Sequence, residues 1–230
     1  MNDEASDRER ERPPHRYSLF VGIAFIVVVL VATLNTLRTR EDGILGTSEA
    51  DRGERLAEFA VPDLLGTLEG DANVYQRDCE ATGGPCPPEG GRPACEIEVE
   101  QVIRVCDLFA RPLVLSFWFT GGAQCLPTQD TLDRVAGRFE GEVNFLSVNV
   151  LDERDEAREV VAERDWEIPV GHDADGAVAN LYRVGVCPTV VFADRGGVLR
   201  EVKLGTEELT EPKLLAGIER LVEGSRRGAG

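Results

Sequence analysis

Leu113-Val-Leu-Ser-Phe-Trp-Phe-Thr-Gly-Gly-Ala-Gln-Cys125 begins as an unbroken apolar run and ends in a glycine-rich turn followed by a cysteine. A short, continuously apolar run is typical of a strand that is buried on both faces. A second run, Val184-Gly-Val-Cys-Pro-Thr-Val-Val-Phe-Ala-Asp194, carries a cysteine directly before a proline and continues into another apolar segment. We therefore expect two central strands, with Cys125 at the start of a helix and Cys187 on a loop.

The rest of the pattern alternates strands with helices, which predicts an α/β domain with a mixed sheet. The helix after the Gly121-Gly122 turn is expected to reach Phe139, with a break or kink at Pro127. Asp152 and Asp175 are expected to cap the next two helices, and His172 is expected in a loop or at the surface. The further expected elements are a strand at Val143–Val150, a helix to about Asp165, a strand at Ile168–Val170, a helix to Tyr182, strands at Thr189–Ala193 and Val198–Leu204 around the turn Asp194-Arg-Gly-Gly197, and a helix at Leu214–Val222.

Composition and charge limit the function classes. The formal net charge of −17 argues against nucleic-acid binding, which needs a basic patch. Leu19–Leu34 is almost wholly apolar, and Tyr17–Leu37 gives about 20 residues, which is enough to span a hydrocarbon core. Arginines precede this segment and favour a cytoplasmic N-terminus. A cleaved signal peptide is the alternative, but no clear cleavage site follows, so we predict a retained anchor.

The predicted organisation has five parts. They are a cytoplasmic tail (1–16), a transmembrane anchor (17–37), a linker (38–55), a globular domain (56–223) and a disordered tail (224–230). The globular domain contains an insertion at about 70–106 that is rich in glycine, proline and cysteine. Ile97–Val105, at the end of this insertion, fits either a strand or a helix.

Four of the six cysteines, Cys79, Cys86, Cys95 and Cys106, lie in the insertion. A segment of this composition has little core of its own, so we expect two structural disulfides among these four residues. Zinc is the alternative, but the spacings lack the short ligand pairs of structural zinc sites. We therefore predict no metal site.

The ordered motifs resemble those of the TlpA/ResA group of membrane-anchored thioredoxin-like proteins and, more distantly, the peroxiredoxins. Phe59-Ala-Val-Pro-Asp-Leu-Leu-Gly66 resembles the opening motif of that group, and Phe117-Trp118-Phe119-Thr120 resembles its Phe-Trp-Ala-Thr. Val186-Cys-Pro-Thr189 resembles its cis-proline loop. The resemblance covers about residues 56–223 and implies a thioredoxin-like fold, a cis bond before Pro188 and thiol–disulfide chemistry.

The chain departs from the family at its most important motif. Where the family has Cys-x-x-Cys, this sequence reads Gly122-Ala-Gln-Cys125, so only the second, resolving cysteine is present. The attacking cysteine of a peroxiredoxin would also fall near Gly122, which weakens the thiol-peroxidase interpretation. Ser116 stands where thioredoxins carry a buried acidic residue.

We therefore hypothesise a relocated redox pair. Cys125 would lie at a helix N-terminus, whose free N–H groups and dipole stabilise a thiolate. The resemblance places Cys187 on the loop that faces this helix start. An inert structural bridge between the two residues, or two unpaired thiols, are the alternatives.

The main functional hypothesis is a membrane-tethered, extracytoplasmic thiol–disulfide oxidoreductase that acts on protein thiols or disulfides and needs no cofactor. Cys125 and Cys187 would be its catalytic residues. The alternatives are a redox-inactive module that binds an extended peptide and, less favoured, a thiol peroxidase. The predicted active-site loop residues are Trp118, Thr120, Gly121, Gly122, Gln124 and Pro188.

Overall fold

The computed structural model describes residues 25–30, 52–76, 91–122 and 124–228. The chain divides into two compact units, Met1–Asp42 and Gly43–Gly230. In the first unit, only residues 25–30 are described; they are helical, with exposed side chains. None of the helices within these ranges combines the length and the apolar character that crossing a bilayer requires. Most of the predicted anchor, residues 17–37, lies outside the described residues, as do the predicted tail at 1–16 and most of the linker.

The second unit is built on a five-stranded mixed sheet in which three parallel strands are followed by two antiparallel ones. The strands are β3 (Leu113–Trp118), β4 (Asn144–Val150), β5 (Val170–Asp173), β6 (Thr189–Asp194) and β7 (Val198–Leu204). Their order in the sheet is β5-β4-β3-β6-β7. The predicted α/β class and mixed sheet are confirmed, and the predicted strands agree within a few residues.

Strand β3 lies at the centre of this sheet, and all six of its residues are buried. It pairs in parallel with β4 and antiparallel with β6, so both of its backbone edges are hydrogen-bonded. Its side chains alternate between two apolar layers, with Phe117 in one and Val114 in the other. The continuous apolar run is explained by this burial on both faces.

Four helices cover the sheet: α1 (Cys125–Ala136), α2 (Arg154–Arg164), α3 (Ala177–Leu181) and α4 (Glu211–Gly228). The predicted break at Pro127 is wrong, because α1 begins only at Cys125. Pro127 therefore lies in the first helical turn, where a backbone N–H has no partner within the helix and its loss costs little.

The helix caps also differ from the prediction. Helix α2 follows Glu153, and no side chain caps its first turn. The cap of α3 is shared: Asp175 accepts the Ala177 N–H at 3.2 Å, and Asp173 accepts the N–H groups of the next two residues. Asp152 thus remains available for a different role.

The domain extends beyond its predicted boundaries at both ends. Gly53 and Leu56 donate backbone hydrogen bonds to the β6–β7 hairpin, so part of the predicted linker belongs to the fold. Residues 224–228, expected in a disordered tail, are helical, because α4 continues to Gly228. Arg226 on this last turn forms an ion pair with Glu142 at 2.7 Å.

The insertion is attached to the domain by a two-stranded antiparallel sheet, β1 (Ala60–Pro62) and β2 (Val102–Arg104). Of the ambiguous stretch Ile97–Val105, only the last part forms a strand, and a short 3₁₀ turn at Val105–Leu108 follows it. Cys106 lies in this turn and forms a disulfide with Cys95, with a Cα–Cα distance of 5.9 Å. Cys79 and Cys86 lie outside the described residues, so their pairing remains a prediction.

The Cys95–Cys106 bridge is expected to stabilise the domain without contributing to its chemistry. Replacing both residues in Cys95→Ser/Cys106→Ser should lower the free energy of unfolding by about 2–3 kcal/mol, because a short loop is no longer closed in the unfolded chain. Urea denaturation of the variant and the wild type measures this difference. An unchanged midpoint would contradict a stabilising role.

Candidate active site

Cys125 is the first residue of α1, and its side chain is only 1% exposed. Its backbone N–H donates to the Gly122 carbonyl at 2.9 Å, which closes the turn that leads into the helix. Gln124 precedes the helix and is exposed. The sulfur of Cys125 is therefore buried at a helix N-terminus, beside N–H groups that have no acceptor within the helix.

Cys187 lies on the loop before β6, and the Cys187–Pro188 peptide bond is cis, as predicted. Its side chain is partly exposed, whereas Pro188 is buried. Cys187 and Cys125 form a disulfide with a Cα–Cα distance of 5.4 Å, although 62 residues separate them in sequence. The structure thus brings the two predicted site residues together and makes them one bridge.

Gly122 stands where the sequence resemblance implies a cysteine, and the structure gives it a steric role. A Cβ atom added there would fall inside van der Waals distance of the Cys125 sulfur, and 3.0 Å from Cε2 of Phe119. A Cβ added at the neighbouring Gly121 would meet nothing within 4 Å. The missing side chain at Gly122 therefore leaves the space that the Cys125 sulfur occupies in its bridge to Cys187.

The loop before α1 is held by an acidic residue that the sequence analysis assigned to a helix cap. Asp152 accepts hydrogen bonds from the Thr120 backbone N–H at 2.7 Å and from the Thr120 hydroxyl at 2.9 Å. It also accepts one from Asn149 Nδ2 at 2.6 Å. Because β3 and β4 are parallel, Thr120 and Asp152 follow their carboxyl ends at the same sheet edge, and this parallel arrangement is the signal from which the contact could have been predicted.

Trp118 ends β3 and is buried beneath the site, where its ring packs edge-to-face on Trp166 at a centroid distance of 5.1 Å. Trp118, Cys125 and Leu64 belong to one apolar cluster. The backbone carbonyl of Leu64 in turn accepts hydrogen bonds from Arg154 and Arg158 on α2. Leu64 belongs to the opening motif of the domain. Through its carbonyl, the apolar wall around the buried sulfur is thus hydrogen-bonded to α2.

A neutral polar pair lies at the position where the sequence resemblance implies a buried acidic residue. Ser116 is buried in β3, and its hydroxyl donates to Gln129 Oε1 on α1 at 2.9 Å. Gln129 Nε2 and the hydroxyl of the buried Ser147 have no hydrogen-bond partner among the described residues. The site therefore carries a polar layer without charge under the start of α1.

Two ionisable residues at this sheet edge, His172 and Asp173, form contacts that hold neighbouring backbone segments. Burial raises the pKa of Asp173, although the N–H groups of Val178 and Ala179 oppose this shift by binding its carboxylate. His172 is buried in β5 rather than placed in a loop, and its Nε2 lies 3.0 Å from the Asp152 carbonyl oxygen. These contacts fix the ends of β4 and β5 beside the bridge.

A cavity of about 340 Å³ opens beside the bridge, with Cys187 in its wall. It lies between the carboxyl ends of β3 and β4, the start of α3 and the loop that precedes Pro188. Phe117 and Val150 lie deep in it, and Phe119 and Leu151 form part of its exposed edge. We call this cavity the Cys187 groove. A polypeptide that lies in it would pass directly beside the more exposed sulfur.

Among the described residues, one cluster of potential metal-ligand atoms lies outside this site. The carboxylate of Glu58 and the sulfurs of Cys95 and Cys106 lie within 4.8 Å of one another. Because the two sulfurs are bonded to each other, they are not available as thiolate ligands in this state.

Comparison with known proteins agrees with the resemblance in the motifs. The chain is similar to the thiol-disulfide oxidoreductase ResA of Oceanobacillus iheyensis, with 27% identity over 144 residues that cover 62% of this chain and 72% of ResA. No family model matches the chain.

Two solved structures are similar in fold. A protein described as the thiol:disulfide interchange protein DsbE from Chlorobium tepidum superposes with a TM-score of 0.55 and 17% identity, over 74% of this chain and 97% of that one. A DsbF homologue from Corynebacterium diphtheriae superposes with a TM-score of 0.55 and 18% identity, over 77% and 92% of the two chains. The fold is therefore thioredoxin-like, and the sequence match supports a resemblance to ResA.

The steric role of Gly122 is tested by adding one methyl group. Gly122→Ala should destabilise the bridged state by about 1–3 kcal/mol, because the Cys125 sulfur must give way. The midpoint potential of the pair should rise by about 20–65 mV, since about 30 mV corresponds to 1.4 kcal/mol for a two-electron couple. Titration in glutathione buffers measures this potential.

Gly121→Ala is the matched control, because its new methyl group meets no atom. It should leave the potential within about 10 mV of the wild-type value, about 0.5 kcal/mol on the same scale. Equal shifts in the two variants would show that Gly122 has no special steric role.

Proposed function

We propose that the protein is a thiol–disulfide oxidoreductase whose redox pair is Cys125 and Cys187. The observation that carries this proposal is a disulfide whose two cysteines differ in solvent exposure. Cys125 is buried at a helix N-terminus, and Cys187 is partly exposed in the wall of a groove. Such a pair has one sulfur that a substrate can reach and one that can resolve the resulting mixed disulfide.

The proposed thiol–disulfide exchange follows from the different exposure of the two cysteines. In the reducing direction, the Cys187 thiolate attacks a substrate disulfide, forms a mixed disulfide and releases one substrate thiolate. The Cys125 thiolate then attacks the Cys187 sulfur, restores the internal bridge and releases the second substrate thiolate. Two electrons pass from the pair to the substrate. The same steps in reverse oxidise a substrate dithiol, and the relative potentials of pair and substrate set the direction.

The N-terminus of α1 supports the role of Cys125 as the resolving residue. The free N–H groups of the first helical turn and the helix dipole stabilise negative charge at this position. When a substrate thiolate attacks Cys187, the Cys125 thiolate is the leaving group, and this environment favours its departure. Residue 122 has no sulfur, so Cys187 takes over the attacking role that the first cysteine of the usual motif has.

The proposal extends to protein thiols and disulfides outside the cytoplasm as substrates, and to attachment to the membrane. The support for these parts is the apolar segment Tyr17–Leu37 with its flanking arginines and the six cysteines, which suit a compartment where disulfides persist.

Single substitutions at the two cysteines separate their roles. Cys125→Ser and Cys187→Ser should each reduce the turnover of a disulfide substrate to the uncatalysed rate. Cys125→Ser should also accumulate a mixed disulfide with substrate, because the attacking thiolate remains without a resolver. Non-reducing electrophoresis and intact mass spectrometry detect this species.

The matched control is the double variant Cys95→Ser/Cys106→Ser, which removes the other described bridge and should keep full turnover. Full turnover by both single variants would overturn the proposed redox pair. A bridge that resists reduction in every buffer would favour the alternative, a redox-inactive peptide-binding module.

Membrane attachment has its own test. The full-length protein should sediment with membranes and stay there through carbonate extraction at alkaline pH, because about 20 apolar residues span the hydrocarbon core. A variant that lacks residues 1–42 is the control and should remain in the supernatant. A mature soluble form that begins near residues 35–45 would show cleavage instead.

A further inference from the structure

The Cys187 groove has a composition that goes beyond what thiol exchange requires. Its described lining residues combine a largely apolar surface with two aspartates, Asp152 and Asp175, and include no lysine or arginine. Phe119 and Leu151, at its edge, are 37% and 67% exposed. A large apolar side chain and a cationic side chain are the groups that this surface complements.

Leu151 carries the strongest sign that this surface is built for contact. Its φ of 61° is in the left-handed region, which a leucine rarely adopts and which costs about 1–2 kcal/mol. Its N–H donates to the Asp173 carbonyl at 3.0 Å, so β5 holds the backbone in this conformation. Backbone strain of this kind is concentrated at functional sites, and here it holds an apolar side chain out at the groove edge.

Gly176 makes room for this arrangement. A Cβ added at Gly176 would lie 3.1 Å from Cδ2 of Leu151, closer than ordinary van der Waals contact. Gly176, directly before α3, and Leu151, directly after β4, thus pack closely against each other. Their contact keeps the leucine beside the groove without burying it.

One of the two acidic side chains is fixed in the groove wall, and the other is exposed. Asp152 is engaged by Thr120 and Asn149, so its carboxylate cannot leave the groove wall. Asp175 is exposed, and its carboxylate accepts a 3.2 Å hydrogen bond from the Ala177 N–H and interacts with the neighbouring Asp173 carboxyl group. A cation in the groove would therefore meet Asp175 at the entrance and the field of Asp152 further in.

We infer that the groove selects polypeptide substrates in which the reactive cysteine is flanked by a large apolar residue and by a lysine or arginine. This inference rests on the proposed function, because the substrate cysteine must reach Cys187. The apolar side chain would enter the cavity against Phe119 and Leu151. The cationic side chain would lie against Asp175. Leu151 and Asp175 would then be substrate-contacting residues that the sequence motifs do not reveal.

The test uses the Cys125→Ser variant, in which Cys187 is left as a free thiol at the site. Short peptides with one cysteine, activated as 2-pyridyl disulfides, differ in the two residues that flank the cysteine: Leu and Lys, Leu and Glu, or Ser and Lys. The Cys187 thiolate attacks the peptide sulfur, the mixed disulfide forms, and pyridine-2-thione leaves and is measured by its absorbance. Dipyridyl disulfide, which is small and uncharged, reports the intrinsic reactivity of the thiol, and Cys187→Ser gives the blank.

The Leu/Lys peptide should react about tenfold faster than the Ser/Lys peptide, because the leucine side chain is removed from water. It should react about two- to fivefold faster than the Leu/Glu peptide, the range expected for an exposed charge pair. Leu151→Asn, added to the Cys125→Ser background, should remove most of the leucine advantage. Asparagine tolerates the left-handed backbone, so this loss would not reflect strain. Leu65→Asn is the matched control, since Leu65 is 61% exposed and lies outside the groove lining.

Asp175→Asn should abolish the preference for lysine over glutamate, whereas Asp71→Asn, which removes the same charge outside the groove lining, should preserve it. Equal rates for all three peptides, or a faster reaction with the Leu/Glu peptide, would overturn the inferred selectivity and leave the proposed function standing. Failure of Cys187 to react even with dipyridyl disulfide would overturn the proposed function itself.

Discussion

The burial of β3 on both faces is the constraint on which the site depends. Because all six residues of this strand are enclosed, its carboxyl end leads directly from the core to the turn at Gly121 and Gly122. The partner strands β4 and β6 are aligned by the backbone hydrogen bonds of β3. The residues after β4 and before β6 are therefore brought to the same edge. Asp152 and Cys187 reach the site by this route, and neither is near it in sequence.

The bridge at this edge differs from a Cys-x-x-Cys pair in its connectivity, while the surrounding architecture is that of a thioredoxin-like domain. A Cys-x-x-Cys bridge joins the two ends of one turn. The Cys125–Cys187 bridge joins the start of a helix to a loop 62 residues away. The missing Cβ at Gly122 is what permits this, since the Cys125 sulfur lies where that atom would be. The absence of a side chain at Gly122 and the presence of the Cys125–Cys187 bridge are thus linked by the space around a single sulfur atom.

The polar side chains around the bridge have different roles. Ser116 and Gln129 form a neutral layer beneath the buried sulfur. Asp152 fixes the loop through Thr120, and Asp175 remains exposed at the groove. The carboxylates of Asp152 and Asp175 thus line the groove beside Cys187, whereas the residues beneath Cys125 are uncharged. This arrangement would suit the proposed redox pair, in which Cys125 leaves as a thiolate and Cys187 meets the substrate.

Local patterns in the sequence were sufficient for the α/β class, the central strands, the two candidate cysteines and the presence of a Cys-rich insertion. Apolar runs, turn residues and cysteine positions are local signals, because burial and backbone conformation depend on neighbouring residues. The pairing of Cys125 with Cys187, the clearance at Gly122, the role of Asp152 and the exposed position of Leu151 were decided only by the tertiary structure. Each depends on a contact between segments that are distant in the chain: Asp152 lies 32 residues from Thr120, and its carboxylate was equally suited to a helix cap until β3 and β4 were aligned.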